Sequence, residues 1–159
     1  MAADLAVGFL NCYNRLDCIQ SAVTVISSKN PYWILGINEG NLRGAEGWLS
    51  NSQLIVHGNT SKGRTYIITP MRKWKQITTN LNNEIVSIEI GLGNRNLVVS
   101  CIYLSPSDNT VANETIKEFH DLVRANRTKQ HILLGDVNAK SPKWGRSMDV
   151  LLSISLPLK

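Results

Sequence analysis

The stretch ILLGDVNAKSPKWG, residues 132–145, passes from an apolar run into a loop that holds an acid, an amide, two lysines and a tryptophan. Asp136 and Asn138 stand two residues apart where the run ends. Three other apolar runs leave through comparable chemistry: Asn11 follows Leu5–Leu10, Glu39 follows Trp33–Ile37, and Tyr103 closes Leu97–Tyr103. All are side chains that can bind a hard cation or a phosphate. Carboxylate and carboxamide oxygens without a His or Cys cluster suit Mg2+ rather than zinc. Each residue also has a plainer reading. Asp136 and Asn138 are ordinary turn formers, Glu39 beside Gly40 is a turn acid, Tyr103 is a rim aromatic, and Asn11 alone says little. A calcium loop is excluded, because DVNAKS places Lys140 fifth and Ser141 sixth, where glycine is required.

The elements that must bring these residues together follow from periodicity. Leu5–Leu10 and Trp33–Ile37 read as buried strands. Between them Ile19, Ala22, Val23 and Ile26 recur at helical spacing, with Asp17 at the start and Asn30-Pro31 at the end. Leu54–Val56, Arg64–Thr69, Ile85–Ile90 and Leu97–Tyr103 are β-rich and separated by turn residues, which predicts an antiparallel meander. A second helix is expected over about Val111–Asn126, burying Ile116, Phe119, Leu122 and Val123, and His131–Leu134 is a further strand. The order β-α-β, meander, α-β implies an α/β chain of the α+β type, a mixed sheet with helices on one face. In such sheets ligands collect beyond the carboxyl ends of the strands, so distant residues can converge there.

A chain of 159 residues, 43% hydrophobic and 18% charged, is sized for one globular domain rather than for disorder. No apolar run reaches the roughly 18 residues that span a bilayer, and the acid in MAADLAVGFLN is unlike a secretory signal. The expectation is an intracellular chain, nuclear or cytoplasmic, not secreted and without a membrane partner. Cys12, Cys18 and Cys101 give an odd count with no C-x-x-C, so they read as small hydrophobes. The net charge of +5 favours polyanions. Basic residues cluster at Lys62 and Arg64, at Arg72, Lys73 and Lys75 around Trp74, and at Lys140, Lys143 and Arg146 around Trp144. An aromatic flanked by cations can hold nucleic acid by stacking. A solubilising surface bias, with each tryptophan anchoring a loop, is the alternative.

The run LLGDVNAKSPKWG resembles the G-D-[FLV]-N-A-x-x-x-x-W-G signature of the endonuclease/exonuclease/phosphatase superfamily, in particular the apurinic-like endonuclease domains of non-LTR retrotransposons. FLNCYN, WILGINEG and VVSCIYLSPSD resemble the family's first strand with its Asn, its metal-binding Glu strand and its Y-x-x-P strand, in the family's order. The resemblance covers residues 1–145. It implies a four-layer α/β/β/α sandwich, of which this chain would be the N-terminal part, and a Mg2+- or Mn2+-dependent DNA-nicking endonuclease. By the same resemblance Glu39 binds the metal with help from Asn11, and Asp136 orients or deprotonates the attacking water. Asn138 then holds the scissile phosphate and Tyr103 hydrogen-bonds a phosphate oxygen. In an extended segment Asp136 and Asn138 point to one side, which suits those two roles. Nucleic acid would be contacted by Lys140, Ser141, Lys143 and Trp144 and by Arg72 and Lys73.

Residues 146–159, RSMDVLLSISLPLK, depart from the family, which continues with a Ser-Asp pair and a closing Asp-His. On that ground the expectation is a truncated, inactive chain with half of the sandwich missing. Its alternatives are a catalytically dead basic nucleic-acid-binding module and a non-functional fragment. An uncovered sheet would then be masked by Val150, Leu151, Leu152, Ile154 and Leu156, or by self-association of two copies through that face.

Overall fold

Strands that are apolar at every position, rather than at every second one, need cover on both faces. The computed structural model, which describes residues 3–58, 64–77, 84–138 and 156–158, shows how this chain supplies it. The element order is β1 (Ala3–Asn11), α1 (Leu16–Lys29), β2 (Trp33–Asn38), α2 (Glu46–Asn51), β3 (Ile55–His57), β4 (Tyr66–Thr69), β5 (Trp74–Gln76), β6 (Ile85–Leu92), β7 (Arg95–Tyr103), α3 (Asn109–Ala125), β8 (Gln130–Asp136) and β9 (Leu156–Leu158). The strands form two mixed sheets, ordered β3-β4-β2-β1-β9 and β5-β6-β7-β8.

Along β2 the period-2 alternation splits the side chains between two cores. Ile34 faces the second sheet, in one cluster with Leu5 and Val7 of β1, Ile67 of β4, Val86, Ile88 and Ile90 of β6, Leu97, Val99 and Cys101 of β7, and Leu134 of β8. Trp33, Leu35 and Ile37 point the other way, onto Ile19 and Val23 of α1. Each such Leu, Ile or Val contributes about 1.5–3 kcal/mol on burial. Gly36 lies close against the second sheet, since an added Cβ there would be 2.9 Å from Leu134 Cδ1 and 3.0 Å from Cys101 Sγ. Helix α1 therefore covers the outside of the first sheet, and α3 lies against β7 of the second. This is the α/β/β/α layering expected of the sequence.

Three expectations are corrected. The four β-rich segments do not form one meander. β3 and β4 pair antiparallel in the first sheet, while β6 and β7 pair antiparallel in the second, so the chain changes layer after β4. Both sheets of the sandwich are represented among the described residues, and the inner face expected to lie bare is covered by the other sheet. Residues 150–155 lie outside the described residues. Leu156–Leu158 extends the first sheet as an antiparallel neighbour of β1, in the plane of the sheet and not across its face. Finally, α3 starts at Asn109, its N-terminus capped by Asp108 accepting the Val111 N–H at 3.1 Å. Its buried residues are Thr115 and Leu122, and Ile116 is 41% exposed. The short α2 and β5 were not legible as elements, since they span only 6 and 3 residues. Cys12 and Cys101 are buried and free, and Cys18 is half-buried. Among the described residues no helix is long and apolar enough to cross a membrane.

His57 closes the side of the sandwich where the edge strands β3 and β5 meet. Its ring meets Trp74 edge-on, with centroids 4.0 Å apart and planes at 80°. The side chain of Gln76 hydrogen-bonds the imidazole, but burial outweighs this and pushes its pKa down to about 4. Unfolded, it would titrate near 6.5, so the unfolded chain binds the extra proton as pH falls between the two values. The stability held by neutral His57 is thus complete above 6.5 and lost toward 4. Between pH 7.5 and 5 the chain should lose about 2 kcal/mol more stability than His57→Phe, measured by urea unfolding at both pH values.

Candidate active site

Two βαβ units, β1-α1-β2 in one sheet and β7-α3-β8 in the other, each leave a parallel pair whose last residues stand in register. Asn11 pairs with Asn38, and Tyr103 with Asp136. The carboxyl ends of all four strands meet at one end of the sandwich. There Asn11 Nδ2 donates to Glu39 Oε1 and to Asp136 Oδ2, both at 3.3 Å. Tyr103 Oη donates to the same Glu39 Oε1 at 3.1 Å. Residues as far apart in sequence as Asn11 and Asp136 thus share one network.

The backbone is bent to make this possible. Glu39 has φ 49° and Asn138 φ 46°, left-handed conformations that are costly outside glycine and that gather at functional sites. Gly135 has φ 142°, and a Cβ there would fall 1.9 Å from the Ile102 carbonyl oxygen. The glycine before Asp136 is thus required twice, by conformation and by contact. Asp136 Oδ1 accepts the Asn138 N–H at 2.8 Å, an Asx turn that fixes the carboxylate. Behind Glu39, the Cys12 thiol donates to the carbonyls of Asn38 at 3.5 Å and Glu39 at 3.3 Å. Burial pushes that thiol up to about 11, so it stays a neutral donor.

Sequence reasoning missed Asn38, Arg64 and Glu84. Asn38 is fully buried, its Oδ1 accepts the Asp136 N–H at 2.7 Å, and its Nδ2 donates to Thr65 Oγ1 at 3.3 Å. It ties the end of β2 to the end of β8 across the sandwich. Only the pairing of the sheets could have revealed it. Arg64 lies with its guanidinium carbon 4.8 Å from the Tyr103 ring centroid and is paired to Glu84 at 3.1 Å. Burial raises the Tyr103 phenol above its ordinary value, and its bond to Glu39 raises it further, against opposing pulls from Arg64 and Asn138. The hydroxyl is therefore protonated, and a donor, near neutral pH.

Of the residues expected at the site, Asn11, Glu39, Tyr103 and Asp136 converge. Asn138 reaches the network through its backbone N–H, while its Nδ2 donates to the Leu104 carbonyl at 2.7 Å. The extended geometry expected from Asp136 to Asn138 does not hold, because β8 ends at Asp136 and Asn138 is left-handed. Arg72 and Lys73 are not brought to the site. They precede β5, whose Trp74 pairs with Ile90, about 20 Å along β6 from the Glu84 end. Lys140, Ser141, Lys143 and Trp144 lie outside the described residues.

The family described as endonuclease-reverse transcriptase matches residues 97–153, which hold Tyr103, Asp136 and Asn138. The endonuclease domain of TRAS1, a telomere-specific non-LTR retrotransposon, superposes with a TM-score of 0.67 at 18% identity, over 89% of this chain and 62% of that one. This chain has the endonuclease/exonuclease/phosphatase fold. An endonuclease/exonuclease/phosphatase family protein from Bacteroides thetaiotaomicron superposes at 0.59, with 11% identity over 87% of this chain and 65% of its own. D. rerio TDP2 complexed with single strand DNA product does so at 0.58, with 13% identity over 87% and 62%. No curated protein matches the chain. The superfamily resemblance legible in the sequence is thus borne out. The chain spans about 62% of the length of the TRAS1 domain.

Gly135→Ala should lower stability by at least about 2 kcal/mol in urea unfolding, since it adds both a strained φ and a backbone overlap at Ile102.

Proposed function

We propose that this chain is a divalent-metal-dependent phosphodiesterase domain that nicks DNA for a retroelement. The observation that carries the reading is the convergence of Asn11, Glu39, Tyr103 and Asp136 from four strand ends in two sheets. Glu39 and Asp136 are drawn to one amide group, and among the described residues neither is ion-paired. Among the described residues the two carboxylates meet neutral donors alone, from Asn11, Tyr103 and the Asn138 N–H, an electrostatic environment that a cation would relieve. Among the described residues no group of three His, Cys, Asp or Glu is present, and hard oxygen donors suit Mg2+ or Mn2+. Glu39 is the metal-holding carboxylate, with Asp136 near it. Asn11 now turns its Oδ1 to the Tyr13 N–H at 3.2 Å and its NH2 to the carboxylates, so its amide must turn over to offer an oxygen. A bound cation would neutralise charge building on the phosphate oxygens.

Asp136, its Oδ1 held by the Asn138 N–H, is placed to orient a water and take its proton. Asn138 supplies a donor for the phosphate, and Tyr103 supplies another when its single proton turns from Glu39 to a phosphate oxygen. Lys140, Ser141, Lys143 and Trp144 are proposed to contact the nucleic acid next to the scissile bond. Arg72 and Lys73 would meet it about 20 Å away, about six base pairs along a duplex. In D. rerio TDP2, a protein of the same fold, a single-strand DNA product is bound, which supports nucleic acid as the substrate.

A second reading, a basic module that binds nucleic acid without turnover, is favoured by the net charge of +5. Supercoiled-plasmid nicking in Mg2+ and Mn2+ binding by electron paramagnetic resonance separate the two. Glu39→Gln and Asp136→Asn should each reduce nicking by at least about 100-fold with an unchanged circular dichroism spectrum. Nicking retained in either variant removes the assignment. DNA binding that weakens steeply with salt, ignores EDTA and never leads to nicking selects the second reading.

A further inference from the structure

Arg64 stands just before β4 in the first sheet, and Glu84 just before β6 in the second. Their ion pair, Nη2 to Oε1 at 3.1 Å, bridges the two layers at the site end. Tyr103 is enclosed by this bridge. Its ring lies 4.8 Å below the guanidinium carbon, and its backbone N–H donates to the Glu84 carbonyl at 2.9 Å. The Arg64 carbonyl in turn accepts the N–H of Gly40, the residue after Glu39, at 2.9 Å. Arg64 therefore fixes both ends of the Tyr103–Glu39 hydrogen bond, one through its side chain and one through its backbone.

We propose that Arg64, clamped by Glu84, is a positioning residue that holds the Tyr103 hydroxyl on Glu39. This deepens, and rests on, the reading of Glu39 and Tyr103 as parts of an active site. A planar guanidinium suits the task, since it covers an aromatic face while one edge stays on a carboxylate; an ammonium does only one of the two. Burial raises the Glu84 carboxyl above its ordinary value, against an opposing pull from Arg64. Gly40 is part of the same arrangement: a Cβ there would lie 2.5 Å from Tyr66 Cε2, so the chain beyond Glu39 has one path.

The test follows the Tyr103 phenol directly, by the 13Cζ resonance of labelled tyrosine near neutral pH, where the shift reports the hydrogen bond to Glu39, assigned by its disappearance in Tyr103→Phe. In Arg64→Gln the Tyr103 13Cζ resonance should move toward that of a solvent-exposed tyrosine as the bond to Glu39 loosens, with Tyr13, Tyr32 and Tyr66 unmoved. Glu84→Gln, which loosens the clamp from the other sheet, should move Tyr103 in the same direction. A Tyr103 resonance unaffected in both variants overturns the proposal, as does a shift shared by all four tyrosines, which would mark general unfolding. Where nicking is measurable, Arg64→Gln should lower kcat with KM unchanged. A raised KM at constant kcat would place Arg64 on the substrate instead and overturn the positioning role. The resonance measurement needs no turnover, so failure of the nuclease reading, seen as nicking retained in Asp136→Asn, leaves it decisive for Arg64.

Discussion

Two carboxylates from different sheets, Glu39 and Asp136, are drawn to one amide group, Nδ2 of Asn11 at 3.3 Å from each. Like charges brought together repel, and neutral donors offset only part of that repulsion. The arrangement persists because the strands beneath it are held rigidly from both faces. A slip of one residue in either parallel pair would turn these side chains to the opposite face. Register is fixed by the apolar alternation, in which Ile34 and Ile67 of the first sheet meet Val86, Ile88 and Val99 of the second. The site's geometry is therefore a property of the core between the sheets before it is a property of any loop.

Asn38 shows how the core and the site are joined. It is a fully buried polar residue in a strand buried at every position. An unmet amide in that position would cost about 1–3 kcal/mol. Its oxygen is met by the Asp136 N–H and its nitrogen by Thr65 Oγ1, the Ile37 carbonyl and, at 3.7 Å, Cys101 Sγ. Those partners come from both sheets, so Asn38 is satisfied only when the layers are correctly docked. Gly36, two residues earlier on the same strand, permits the close approach that makes this docking possible.

The sequence was most legible where a local rule decided the outcome. The apolar runs gave β1, β2, β7 and β8, the spacing of Ile19, Val23 and Ile26 gave α1, and the acids and amides at strand exits gave Asn11, Glu39, Tyr103 and Asp136. Layering was not legible, because β-rich segments of equal character pair within one sheet or are divided between two, and no local signal distinguishes these cases. Ile116 was misplaced for a related reason: α3 buries Thr115, whose hydroxyl bonds the Val111 carbonyl at 2.8 Å, and the buried stripe is rotated accordingly. Arg64 read as one cation in a basic cluster. Its role depends on Tyr103 and Glu84, which chain order keeps apart.

Charge is distributed so that attraction and chemistry would act at different ranges. On the proposed reading, a phosphodiester approaching Glu39 and Asp136 meets two negative groups and is repelled unless a cation sits between them. The basic residues Arg72 and Lys73 cannot supply that neutralisation, since about 20 Å is roughly twice the Debye length at 0.1 M salt. Nor does Arg64, whose charge is spent on Glu84 and on the Tyr103 ring. On that reading Arg72 and Lys73 would act on flanking phosphates of a long polyanion, giving affinity without influence on the reacting one. Selection of the reacting phosphate would then be left to the carboxylate pair and a cation held by it, which is the condition under which a basic surface and an acidic centre could serve one reaction.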